Sequence, residues 1–350
     1  MSWPFQEKAL AKGLREPLGA PDLSLDGIHP MQRPSTLPGM HGEKIGQYRL
    51  HLLAADLNIS GQPRQLALLL KELIPASGKA GEHYFYRHLA THLPIYTPLM
   101  IAGDDNAGWL VTLAPGELRA PESWDVDDYR AAVDSLAVLH DCYWGLYDDL
   151  DNFANLRHPL DSGHNHLVTE IQDAVRFMIQ NYPEFAVSRY AVLLECLMDR
   201  LEEIAGTLKK EPFTLLHGNY WPDNIARPID GGRQQVANWH QAAIGPAVLD
   251  AVMFAQQTVT YLQPVFPLTA ALARYRVQLR ELRGEIIWND QQWNLLWDYS
   301  LLWLLMADRL PWIVALPPEM YHEWHPSLQR FWLDPAAQIL KTRFGVTLPG

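Results

Sequence analysis

The spacing of hydrophobic residues changes character near residue 113. Before that point the apolar runs are short and strand-like. IGQYRLHLLAADL (Ile45 to Leu57) and RQLALLLKELI (Arg64 to Ile74) flank NISGQP, whose Asn, Ser, Gly and Pro carry turn chemistry, so the pair predicts a hairpin. GWLVTL (Gly108 to Leu113) is a further strand candidate. Between them, GEHYFYRHLATHL places Glu82, Phe85, Tyr86, Leu89 and Leu93 on one helical face, and Pro94 and Pro98 end it. Beyond residue 113 the period lengthens. DVDDYRAAVDSLAVLHDCYWGL carries an apolar stripe through Tyr129, Val133, Leu136, Leu139 or His140, and Tyr143. Helical patterns continue at about 165–180, at about 186–208 and over most of 249–345. Residues 1–40 are rich in Pro and Gly and predict an irregular leader with one short strand. The expected organisation is a small sheet-containing N-terminal lobe, 1–113, followed by a larger, mainly helical lobe, 114–350.

Composition fits this outline. With 48% hydrophobic and 19% charged residues in 350, the chain is globular and long enough for one large domain or two lobes. A formal charge of −12 disfavours a sequence-independent nucleic-acid binder, which needs clustered Lys and Arg to displace counterions. Cys142 and Cys196 are the only cysteines, too few for a disulfide framework and without metal-ligand spacing. No uncharged apolar run approaches the roughly 18 residues of a membrane span, and the N-terminus lacks the apolar stretch of a secretion signal. These features predict a soluble, cytoplasmic protein with neither a nucleic-acid nor a membrane partner.

The chemistry concentrates in Leu215 to Asp250, LLHGNYWPDNIARPIDGGRQQVANWHQAAIGPAVLD. Asp-Gly within IARPIDGGRQQVA, flanked by short strand-like runs, predicts a hairpin. Such a hairpin brings the residue before its first strand and the residue after its second to one end, so Asn224 and Asn238 should meet.

This segment resembles that of the aminoglycoside phosphotransferase and choline kinase group, relatives of the protein kinases. Their motif usually reads HGD-x-x-x-x-N, followed by a hydrophobic strand ending in Asp-Trp or Asp-Phe. Here HGNYWPDN supplies His217, Gly218, Asn219 and Asn224, and VANWHQAAIGPAVLD supplies Asn238, Trp239, Gly245, Pro246 and Asp250. The resemblance implies a two-lobed, kinase-like α+β fold and makes Lys71 of LLLKEL the nucleotide-side lysine, with Glu82 as its ion-pair partner. It covers about residues 45–255. It further implies that position 219 orients the acceptor hydroxyl and takes its proton, that Asn224 and position 238 hold the metal, and that Asp250 pins the loop.

Both expected aspartates are asparagine, which carries no charge and takes no proton at neutral pH. ATP or another nucleotide is the implied cofactor, and Mg²⁺ is left open. Asp223 is the one carboxylate placed to compensate, its alternative being a solvated loop charge. Lys71 has its own plain alternative, an edge-strand charge. His140 and His217 read as hydrogen-bonded structural histidines. Trp288, Trp293, Trp297, Trp303, Trp312, Trp324 and Trp332 read as helix packing, with an aromatic acceptor pocket as the other possibility. Three functions follow. The first is a catalytically degraded, pseudokinase-like protein that binds a nucleotide, a small molecule or a protein partner. The second is an active ATP-dependent kinase of a small hydroxylated metabolite or antibiotic. The third is the same fold used for another transfer reaction or as a scaffold.

Overall fold

The computed structural model describes residues 3–40, 43, 47–73, 81–146, 153, 155–160, 164–182, 189–264, 266–316 and 318–349. The chain divides into two compact units, one of residues 1–132 with 222–242 and the other of 133–221 with 243–350.

The first unit begins with α1 (Glu7–Arg15), which corrects the expectation of an irregular leader. Leu10, Ala11 and Leu14 fall on one face and are buried, while the Pro and Gly that suggested irregularity follow the helix at Pro17 and Gly19. A five-stranded antiparallel sheet runs in the order β1-β2-β3-β5-β4. Its strands are β1 (Ser24–Pro30), β2 (Tyr48–Ile59), β3 (Gln62–Leu73), β4 (Met100–Asp104) and β5 (Trp109–Leu113), with helix α2 (Gly81–His88) between β3 and β4. The β2–β3 turn is only Ser60-Gly61, with φ of 51° and 77°. Two positive φ values match the twist of the strands, so pairing extends into residues that read as turn. The expected end of β3, Ile74, and start of β2, Ile45, lie outside the described residues.

Leu68 and Leu70 of β3 join Leu10, Leu14, Leu53, Ala55, Leu57 and Val111 in the core under α1. The period of two therefore turns Lys71 to the opposite face of the sheet. There it pairs with Leu50 on one side and Leu110 on the other, so it belongs to a central strand and not an edge.

The second unit is helical. It holds the C-terminal part of α3 (Val126–Cys142), then α4 (His164–Asn181), α5 (Arg189–Met198) and α6 (Leu201–Leu208). Next come the antiparallel pair β6 (Phe213–Leu216) and β9 (Ala243–Pro246), then α7 (Val248–Tyr261), α8 (Leu268–Arg283) and α9 (Asp290–Leu304). Trp303 and Trp332 are fully buried, and Trp288 and Trp293 nearly so, which places these rings in helix packing. Among the described residues no helix is long and apolar enough to cross a membrane.

Candidate functional site

The Asp-Gly hairpin forms within the first unit. Strands β7 (Ile225–Ala226) and β8 (Gln235–Val236) pair antiparallel, with Gly231 at φ 79° in the turn. At the open end the Ala237 amide donates to the Asn224 carbonyl at 2.9 Å. Asn238 then adopts the left-handed conformation, φ 65° and ψ 56°, which asparagine tolerates better than most residues. Trp239 fixes this turn against α2. Its ring stacks on Phe85 with centroids 3.8 Å apart, its amide donates to Glu82 Oε1 at 2.9 Å, and its indole N–H donates to the Val236 carbonyl.

Four of the expected site residues therefore converge. Lys71 Nζ donates to Glu82 Oε2 at 2.6 Å and to Asn238 Oδ1, and lies 3.9 Å from the centre of the Tyr48 ring. Asn238 Nδ2 donates to Asn224 Oδ1 at 2.8 Å and to the Tyr48 hydroxyl at 2.9 Å. The orientation of the Asn238 amide follows from chemistry. Lysine only donates, so the amide must face it with oxygen and turn its NH₂ toward Asn224 and Tyr48. The same oxygen lies 3.0 Å from His240 Nδ1, which must therefore carry its proton on Nδ1. Lys71, Glu82, Asn224 and Asn238 are 4%, 2%, 1% and 8% exposed.

Burial lowers the Lys71 pKa, and the Glu82 charge opposes that shift. Burial raises the Tyr48 pKa well above its ordinary value, with the charges of Asp223 and Glu82 adding to the effect. Asp223 is half-buried in the turn Pro222–Asn224.

The donor set does not fit Mg²⁺. That ion is held through one or two carboxylates and near-ideal octahedral geometry. Here the gap between positions 224 and 238 contains an amide N–H pointing from one side chain to the oxygen of the other. A hydrogen-bond donor stands between the two side chains expected to hold the metal. Among the described residues no group of three or more His, Cys, Asp or Glu is arranged to hold a metal.

Asn219 belongs to the second unit. It is half-buried on the loop after β6, and its amide donates to His217 Nδ1 at 3.2 Å. Asp250, in the first turn of α7, secures that loop by accepting from the His217 amide at 2.7 Å and the Gly218 amide at 2.9 Å. Behind Asp250, buried His140 lies 3.4 Å from the carboxylate and 2.8 Å from the Tyr275 hydroxyl. Both histidines serve the framework of the loop.

Tyr48, His240 and Gly39 escaped the sequence reading. His240 stands two residues after Asn238, a spacing that could have flagged it. Tyr48 opens a strand and Gly39 lies in an apparently structureless stretch, so no periodic signal marks either.

No family model matches the sequence, and no curated protein matches it. Solved structures do. A protein from Ralstonia eutropha JMP134, provisionally assigned as an aminoglycoside phosphotransferase, superposes with a TM-score of 0.56 at 14% identity, covering 95% of this chain and 99% of its own. The chain has the fold of these phosphotransferases. The amicoumacin kinase hAmiN, solved with AMP-PNP, Ca²⁺ and Ami, gives a TM-score of 0.53 at 12% identity over 95% of this chain and 94% of its own. Macrolide 2′-phosphotransferase type I gives 0.50 at 12% identity over 94% and 99%. At these identities the likeness to the phosphotransferases is one of fold.

Proposed function

We propose that this protein is a catalytically degraded, pseudokinase-like form of the phosphotransferase fold that binds a nucleotide or another small molecule without a divalent ion. The observation that carries the reading is the Asn238 amide, whose NH₂ donates to Asn224 Oδ1 and the Tyr48 hydroxyl. Phosphoryl transfer depends on a metal that neutralises the phosphates and on a group that orients the acceptor. Asparagine at 238 supplies no charge for the first, and asparagine at 219 no base for the second. General-base assistance is typically worth about 10² to 10⁴ in rate, and charge stabilisation by a metal several kcal/mol more. Turnover should be small even though the two losses are not additive.

In this reading Lys71, paired with Glu82, faces the phosphates, residues 1–113 belong to the nucleotide-side lobe, and the catalytic-loop-like segment 215–250 is shared, its 222–242 clustering with that lobe and the rest with the helical unit. The AMP-PNP bound to hAmiN supports a nucleotide as the ligand class. The scarcity of cysteine supports a reducing, cytoplasmic setting.

A thermal-shift titration with ATP, ADP and GTP, with and without Mg²⁺, tests the proposal. The expected result is a stabilisation that grows with nucleotide as mass action requires and gains little from Mg²⁺. A strong Mg²⁺ requirement would instead favour an active kinase whose half-buried Asp223 serves as metal ligand. No shift at millimolar nucleotide would leave a scaffold for a protein partner as the better description.

A further inference from the structure

A buried segment of the chain packs against the Lys71 cluster. Between β1 and β2, Leu37, Pro38 and Gly39 are buried, although a connection between strands ordinarily runs in solvent. Gly39 has φ 81°, and both of its backbone polar groups are engaged. Its N–H donates to the Asp223 carbonyl at 2.9 Å, and its carbonyl accepts from the Tyr48 hydroxyl at 2.6 Å. It also lies against the Asn238 amide. A Cβ at position 39 would come within 2.7 Å of the Tyr48 hydroxyl oxygen and 3.1 Å of Asn238 Nδ2. Only glycine fits there, both in conformation and in space.

The consequence falls on Lys71. Its ammonium has three donors, directed at Glu82, at Asn238 and toward the face of Tyr48. The Tyr48 ring is the cover on that third side, and Gly39 holds the hydroxyl of the same ring.

We propose that Gly39 and Tyr48 form an autoinhibitory latch, in which the 37–39 segment occupies the approach to Lys71 and must withdraw before a phosphate oxygen can reach the ammonium. The latch rests on the reading of Lys71 as the phosphate-facing lysine. Release of the Gly39 carbonyl leaves the Tyr48 hydroxyl held by the Asn238 NH₂ alone, and the ring then swings from the lysine. The regulated step is therefore access and not chemistry.

Acylation of lysines by a small amine-reactive ester, followed residue by residue by mass spectrometry, tests this in the whole protein. Exposed Lys8 serves as the internal standard. Burial lowers the Lys71 pKa and so enlarges its unprotonated fraction, and slow labelling there reports access. Wild-type Lys71 should label about 100-fold more slowly than Lys8, as expected for a site reached only by local opening. Gly39→Ala and Tyr48→Phe should each raise the Lys71 rate by about tenfold while Lys8 stays constant. Tyr48→Phe keeps the ring and its volume, and carries the test if Gly39→Ala does not fold. Equal labelling of Lys71 and Lys8 in the wild type would overturn the latch, as would unchanged Lys71 labelling in variants with native circular dichroism. Calorimetry with ATP separates the latch from the reading beneath it. Faster labelling with tighter ATP binding supports both, whereas faster labelling with no change in ATP affinity upholds the latch and overturns the assignment of Lys71 to phosphate.

Discussion

Asn238→Asp introduces a charge at the position the resemblance assigns to a metal ligand, and the structure sets its effect on stability in the absence of metal. The asparagine donates two bonds from its NH₂, to Asn224 Oδ1 and to the Tyr48 hydroxyl, and accepts from Lys71 and His240. A carboxylate keeps the accepting side and loses both donations. An acidic oxygen then faces the Asn224 oxygen across 2.8 Å, and the Tyr48 hydroxyl must turn to donate to it, abandoning the Gly39 carbonyl. A buried polar group left without its partner costs about 1–3 kcal/mol, so two such losses amount to about 2–6 kcal/mol. The bond from Lys71, whose donor is already charged, becomes an ion pair and returns about 1–2 kcal/mol of that, but Lys71 already neutralises Glu82. With about 4 kcal/mol lost, the middle of that range, and about 1–2 returned, the variant should be less stable than wild type by about 2–3 kcal/mol in urea denaturation with EDTA. Mg²⁺ should then restore stability to the variant and not to the wild type, by about 2.7 kcal/mol at one hundred times its dissociation constant. Equal stability of the two proteins in EDTA, or equal stabilisation of both by Mg²⁺, would refute the reasoning.

Other outcomes follow from the same contacts. Tyr48, Tyr86, Tyr220 and Tyr275 all have pKa values raised well above the ordinary one by burial. The folded state thus holds these protons longer than the unfolded state, and the stability they contribute is intact below pH about 10 and lost as pH rises beyond it. Lys71, with its lowered pKa, acts in the opposite sense up to its unfolded value, so one group opposes four, and urea midpoints should fall steeply above pH about 10. Asp250→Ala removes the acceptor of two backbone amides on the loop after β6 and should cost about 2–6 kcal/mol, read by the same denaturation assay. If Lys71 faces the phosphates as proposed, Lys71→Ala should weaken nucleotide binding more than Asn238→Ala does, measured by calorimetry, because of the two only the lysine is charged.

Much of this was legible in the chain. The resemblance singled out Lys71 in LLLKEL, and Glu82 betrayed itself as a carboxylate on an otherwise apolar helix face. The DGG turn brought Asn224 and Asn238 together, since a hairpin converts sequence order into contact. What stayed hidden depends on contacts far apart in sequence. Tyr48 meets Asn238 across 190 positions, a pairing that leaves no trace in local periodicity. The segment 222–242 clusters with the sheet although it sits between stretches of the helical unit, and nothing in its composition announces that. Helix α1 was obscured by the Pro and Gly that follow its nine residues. The role of Gly39 could not be inferred from a Pro- and Gly-rich stretch, where glycine more often marks a turn than a close approach.

ATP hydrolysis with Mg²⁺ tests the proposed effect of the two asparagines directly. Wild type should release no phosphate above background, while the Asn219→Asp, Asn238→Asp double variant should hydrolyse ATP measurably and each single variant less. Wild-type turnover at ordinary kinase rates of about 1–100 per second would contradict the account.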